Sequence, residues 1–178
     1  MMVGQKNKVM RKIILGLAVS LDGFIEGPGG EYDWCFTDQD YGLSALMKRV
    51  DTLFMGRKTY EVYCRQSERG MPGMKEYVFS ETLEKVKEGS HLIRGDIKKE
   101  IEKIKLEAGK DIWLFGGASL TTSLMYFHLV DEIHLALHPI LLGGGKPLFQ
   151  NLKGRMELKL IEYKRYSTGL VSLVYVLA

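Results

Sequence analysis

Short apolar runs alternate with segments of helical period along the first three quarters of the chain, and this alternation narrows the fold more than any other feature. The runs KIILGLAV, TLFM, EYVF, HLI and DIWLF are β-prone and are bounded by Gly, Asp or charged residues, as strands are. Between them Leu43, Leu46, Met47 and Val50 share one helical face; Ile97, Ile101, Ile104 and Ala108 share another, with Gly109 as its C′ stop; Leu120, Leu124 and Phe127 give a third. Strands separated by helices lie parallel in one sheet, because the crossover returns the chain to the same edge. After Val130 the pattern changes, and EIHLALHPILL, RMELKLIEYKRY and GLVSLVYVLA read as three further strands, the last two an antiparallel hairpin turning near STG. The expectation is an α/β fold with a mixed, mostly parallel sheet of eight strands and about four helices on its two faces.

No repeat, low-complexity tract or linker divides the 178 residues, so a single domain over 1–178 is expected, with the first ten residues disordered. A domain of this length buries roughly 70% of the surface its unfolded chain exposes and needs no staple. Cys35 and Cys64 have neither zinc-ligand nor C-x-x-C spacing, which reads as a reduced, cytoplasmic chain. Basic residues precede the first apolar run, yet that run leads straight into DGF without a small-residue cleavage site. No stretch approaches the ~18 apolar residues of a membrane span. The net charge of +3 is small and scattered, and the run IKKEIEKIK is the solvated face of an amphipathic helix, so neither nucleic acid nor membrane is expected as a partner.

Two turns carry the chemistry. Gly56-Arg57-Lys58-Thr59 follows TLFM, and Gly116-Gly117-Ala118-Ser119-Leu120 follows DIWLF. Each sets a strand, a glycine that admits close approach and a helix start in sequence, an arrangement that suits a dinucleotide pyrophosphate. Arg57 or Lys58 remains for an additional ribose phosphate. No G-x-G-x-x-G follows the first strand, and LLGGGKPLF is not a P-loop, since Pro147 stands at its Ser/Thr position and Ile140 at its first Gly. His134 and His138 lie four apart on one strand face without a third ligand, so no metal is expected. Asp22-Gly23 reads as a turn that ties down the loop after it, and Trp113 as core.

The segments LAVSLDGFIEG, FMGRKTYE, VFS, LFGGASL and PILLGGGKPLF occur in an order and spacing that resemble the dihydrofolate reductase superfamily. Within it the chain most resembles stand-alone relatives of the reductase domain of the bifunctional riboflavin-biosynthesis deaminase-reductase. The resemblance covers nearly the whole chain and implies a three-layer reductase fold, NADPH as hydride donor and a homodimer. It places Ala18 at the nicotinamide end and Gly56, Arg57, Lys58 and Thr59 at the phosphate turn, with Arg57 on the ribose phosphate. It puts Ser80 near that phosphate, Gly116 to Leu120 at the pyrophosphate and Trp34 near the cofactor. The zinc deaminase signature is absent, Phe115 stands where the riboflavin branch has Glu, and GGEYDW replaces the Pro-Trp segment of dihydrofolate reductases.

Reduction of an imine-like bond needs a proton, which a partly buried carboxyl with raised pKa supplies at neutral pH. Asp40 lies fifteen residues before Met55, a spacing that resembles that of the catalytic carboxylate in dihydrofolate reductases. Asp38 is its rival, and Asp40 reads equally as the N-cap of a helix beginning at Tyr41. The function expected is NADPH-dependent reduction of a small pterin-like or flavin-precursor heterocycle; the alternative is a catalytically silent ligand-binding module on the same fold.

Overall fold

The structure, a computed structural model, describes residues 10–66 and 70–178. The expected disordered start therefore lies outside the described residues, apart from the exposed Met10.

The strands are β1 (Ile13–Ser20), β2 (Phe24–Glu26), β3 (Val50–Gly56), β4 (Lys75–Phe79), β5 (Ser90–Ile93), β6 (Asp111–Gly116), β7 (Glu132–His138), β8 (Lys146–Pro147), β9 (Leu158–Arg165) and β10 (Val171–Leu177). The helices are α1 (Leu43–Arg49), α2 (Arg57–Gln66), α3 (Ile97–Leu106) and α4 (Ala118–Tyr126). Eight strands form one sheet in the order β5-β4-β3-β6-β1-β7-β10-β9. Its first six strands are mutually parallel. β10 runs antiparallel to both β7 and β9, which is the expected hairpin.

The period-two alternation of buried strands divides the core between the two faces of the sheet. Ile13, Leu15, Phe54, Ile112 and Leu114 point to one side and pack with Ile101 and Ile104 of α3 and Leu124 of α4. Ile14, Leu53, Met55 and Trp113 point to the other and pack with Leu46 of α1 and Tyr60 and Tyr63 of α2. Each fully buried side chain of this size contributes about 1.5–3 kcal/mol of transfer free energy, and the result is a helix–sheet–helix sandwich.

Several local expectations are corrected. Val50 opens β3 instead of closing α1, and α1 begins at Leu43 behind Gly42, whose φ of 97 suits glycine. α3 ends at Leu106, with Glu107 extended at its C-cap and Ala108 beyond it. Gly109 is not a left-handed stop. It is small because a Cβ there would stand 2.8 Å from Asp51 Oδ2. β7 stops at His138 because Pro139 has no N–H to donate. The segment after it returns toward β1, where Leu21 N–H donates to the Ile140 carbonyl at 2.9 Å.

A small second sheet pairs β2 with β8 antiparallel and was not anticipated. Asp22 fixes the same region. Its carboxylate accepts the N–H groups of Leu142 (3.2 Å) and Gly143 (2.8 Å) and the hydroxyl of Ser20 (2.6 Å), which hold it below the usual carboxylate range. The tie expected at Asp22 thus reaches across the chain to the glycine-rich turn before β8. No helix among the described residues is long and apolar enough to cross a membrane.

Candidate functional site

β3 leads away through α2 to β4, while its neighbour β6 leads the opposite way through α4, across β1 to β7. Adjacent parallel strands whose connections depart in opposite directions leave a crevice at their carboxyl ends, and ligands collect there. Here a cavity of about 970 Å³ opens at that point. Every cofactor residue expected from the sequence except Trp34 lines it.

The two glycine turns meet across the crevice. Met55 of β3 pairs with Gly116 of β6, and two residues further on, at Arg57 and Ala118, helices of ten and nine residues start. The first-turn N–H groups of both helices have no intrahelical acceptor and carry the positive end of the helix dipole. Gly117 caps α4 without any side-chain bond, so its end stays open. A Cβ on Gly117 would come within 3.0 Å of Thr59 Oγ1, and one on Gly56 would stand 3.8 Å from Gly117 N. The Gly116–Gly117 peptide is cis, and Gly116 has φ 131. Small residues therefore keep open a cradle for something that approaches the backbone closely.

Beside the cradle, Arg57 donates from Nη1 to Thr82 Oγ1 at 3.2 Å and lies 3.8 Å from Glu61 one helical turn on. Ser80 Oγ accepts the N–H groups of Thr82 (3.2 Å) and Leu83 (3.1 Å), which shapes the loop after β4 around the guanidinium. Glu81 also lines this end but accepts Gly95 N–H at 2.8 Å.

Trp34 does not reach the cavity. Its ring stands edge-on against His138 at 5.2 Å, and its buried Nε1 has no hydrogen-bond partner among the described residues. His138 is itself buried: Phe36 N–H donates to Nε2 at 3.0 Å, so Nδ1 carries the proton and donates to the Ala136 carbonyl at 2.9 Å. Burial holds this imidazole below its ordinary pKa. His138 is thus a structural clamp for the segment around Trp34, and Cys35, the next residue, lines the cavity. The Cys35 thiol is pushed up to about 11 by burial and is not a thiolate nucleophile at neutral pH.

The expected proton donor lies outside the cavity wall. Asp40 is exposed and absent from the cavity wall, and its Oδ1 accepts Gly42 N–H (3.0 Å) and Ser44 N–H (3.2 Å) ahead of α1. Those bonds hold its carboxyl below the usual range, the opposite of what a neutral general acid needs. Its rival Asp38 is held down in the same direction, chiefly by the Tyr41 hydroxyl at 2.6 Å. Asp40 is not the N-cap of a helix beginning at Tyr41, because α1 starts at Leu43 with Gly42 as its N-cap and no side-chain cap bond; its bonds brace the turn ahead of that helix.

His134 is the residue the sequence reading undervalued. Weighed only as a metal ligand, it lines the cavity, and its Nε2 lies 2.9 Å from Glu132 Oε2. The signal was the Glu-x-His spacing on a strand, which puts both side chains on one face. Glu132 is buried and also meets Lys12 Nζ (2.9 Å) and Arg49 Nη1 (2.9 Å). Despite the cost of burial, its partners, Arg49 foremost, lower the carboxyl to about 2. Among the described residues no group of three or more His, Cys, Asp or Glu is placed to hold a metal ion.

Comparison with known proteins gives a consistent placement. The protein is 41% identical to the uncharacterized protein YyaP of Bacillus subtilis (strain 168), covering 95% of this chain and 96% of that one. It is 33% identical to the uncharacterized protein YwjB of the same organism, covering 94% and 99%. A Shewanella sp. PV-4 protein assigned provisionally to riboflavin biosynthesis superposes with a TM-score of 0.85 at 28% identity, covering 94% of this chain and 99% of that one. The dihydrofolate reductase of Enterococcus faecalis, solved with NADP(H), shares the fold with a TM-score of 0.70 at 15% identity, covering 93% and 96%. The family model described as RibD C-terminal domain matches residues 11–172, and the chain belongs to that reductase-like family.

Proposed function

We propose that the protein is an NADPH-dependent reductase of a small heterocyclic, pterin-like or flavin-precursor substrate. One observation carries the reading: two helix N-termini and their glycine turns converge at the switch point of the sheet, with a guanidinium beside them. The residues fit such a dinucleotide. The first turns of α2 and α4 suit its pyrophosphate, the Gly56 and Gly117 cradle gives it room, and Arg57 with Ser80 and Thr82 suits the ribose phosphate. Ala18, near the carboxyl end of β1, takes the nicotinamide end. Bound there, NADPH would supply a hydride; the chain's own part is to orient the two partners, exclude water and place hydrogen-bonding groups.

The test is a fluorescence titration with NADPH and NADH, following Trp113, which is buried under the cavity. NADPH is expected to bind at micromolar concentration and NADH more weakly. No response to NADPH at about 1 mM, a free energy of only about −4 kcal/mol, would overturn the reading.

A second reading, a ligand-binding module without turnover, is favoured by a specific observation. Neither Asp38 nor Asp40 supplies a carboxylic acid to the cavity. Stoichiometric NADPH oxidation with any heterocycle removes it. The homodimer implied by the resemblance would rest on apolar surface. Leu141 and Phe149 are exposed, and the edge strand β9 adds Leu160, Ile161 and Tyr163.

A further inference from the structure

The cavity continues beyond the phosphate cradle, toward α1 and β7. The register of the sheet sets what faces it there. Ala18 pairs with Ala136, which pairs with Ser172, and Gly16 pairs with His134. Partners in register share a face, so Ala18, Ala136 and Ser172 form a floor of small side chains. Above Gly16 the space is filled: a Cβ there would meet Leu46 Cδ2 at 2.9 Å and Trp113 Nε1 at 3.0 Å. Leu46 and Trp113 therefore close the inner end, and His134 stands at the rim of the floor. The space admits something flat.

The chemistry of that rim follows from Glu132. A carboxyl lowered to about 2 is ionised at neutral pH and can only accept. Nε2 of His134 must then carry the proton in the 2.9 Å bond between them. In the neutral ring, Nδ1 holds a bare lone pair and no partner among the described residues. Charge narrows the ligand further. The cations lining the cavity among the described residues are Arg57 and Lys58 in the first turn of α2, and Lys146, which pairs with Glu26 at 3.6 Å. Lys12 and Arg49 are committed to Glu132 and do not line the cavity. Among the described residues no cation other than Arg57, Lys58 and Lys146 stands in the cavity wall with Leu46 and Trp113.

From this geometry we infer that His134 reads the substrate: its Nδ1 accepts a hydrogen bond from a ring N–H or amino group of a flat, uncharged heterocycle lying over Ala18, Ala136 and Ser172. The inference rests on the reductase reading for the identity of its neighbour in the cavity, but not for its own test. His134 is a specificity-determining residue, and Glu132 is the positioning residue behind it.

The test compares lumazine with its N1,N3-dimethyl derivative, which keeps the ring and loses both N–H donors. Lumazine is expected to bind the wild-type protein about 10-fold more tightly, the worth of one satisfied buried hydrogen bond. In His134→Phe the two should bind alike, with NADPH binding unchanged; His134→Asn, whose amide oxygen can accept, should recover part of the difference. Should the variants not fold, nitrogen NMR of the wild-type histidines decides. The Nδ1 resonance of His134 must move with lumazine and stay still with the dimethyl ring. Equal binding of both rings, a preference that survives His134→Phe, or an unmoved resonance overturns the inference, as does no binding of either ring. Displacement of lumazine by millimolar inorganic phosphate overturns the uncharged assignment. If lumazine is preferred but NADPH does not bind, His134 stands and the cofactor reading falls.

Discussion

Replacement of Arg57 by alanine is expected to weaken NADPH binding by about 10- to 100-fold while leaving NADH binding unchanged, because a charge-assisted pair with a phosphate contributes about 1.5–3 kcal/mol. The position argues for it: Arg57 opens α2 beside the glycine cradle and is oriented by Thr82 and by Ser80 beneath Thr82. Its other contact, with Glu61, is an exposed pair in which both side chains are 45% accessible. Such a pair stabilises little, so the unfolding midpoint should stay within about 0.5 kcal/mol of wild type. Lysine at this position keeps the charge but not the planar fork, and should recover only part of the affinity. Parallel titrations with both nucleotides decide the matter. An equal loss for NADH and NADPH would mean that Arg57 supports the turn without reading the additional phosphate.

The pair of glycine turns was legible in the sequence because its cause is local. A glycine directly after a β-prone run and one or two residues before a helix start can be seen in a string of letters, and Gly56 and Gly116 both stand so. The parallel sheet was legible for the same reason, since strand and helix periods alternate over long segments. Elements too short to show a period escaped. β2 and β8 have three and two residues, and they pair only because Asp22 and the turn before Lys146 bring them together. Val50 satisfied both a helical face and a strand start, and packing beside Leu53 settled it as strand. Asp40 shows a different gap. Its distance along the chain places it before a helix, but spacing says nothing of exposure, and the backbone N–H groups of Gly42 and Ser44 bind its carboxylate and lower its pKa. His134 is the converse, since what it faces depends on the register of β7 against β1 and β10. No local pattern carries that.

The second large effect concerns Glu132, where stability and the site share one carboxylate. It receives Lys12, both Nη atoms of Arg49 and the ring of His134, all between 2.9 and 3.1 Å. Its carboxyl is lowered from 4.5 to about 2. For a group depressed in the folded state, the stabilisation is complete above the unfolded pKa and is lost as pH falls toward the folded one. The window here runs from about 4.5 down to about 2, and at 1.36 kcal/mol per pKa unit the linked stability is about 3 kcal/mol. Glu132→Gln is therefore expected to lose up to about 3 kcal/mol at neutral pH and to show a flatter fall of stability through that window. Urea midpoints measured across the acid range check this, and parallel acid limbs in the two proteins would contradict it. Lys12 and Arg49, 54% and 40% accessible, can be rehydrated when the carboxylate is gone, which limits the damage to the fold. His134 loses more, because glutamine can donate as well as accept and no longer dictates which ring nitrogen holds the proton. The same substitution should thus blur the preference for lumazine over its dimethyl derivative even where the protein is fully folded. The acid stability of the sheet and the polarity of the cavity rim would then change through a single residue that never touches the ligand.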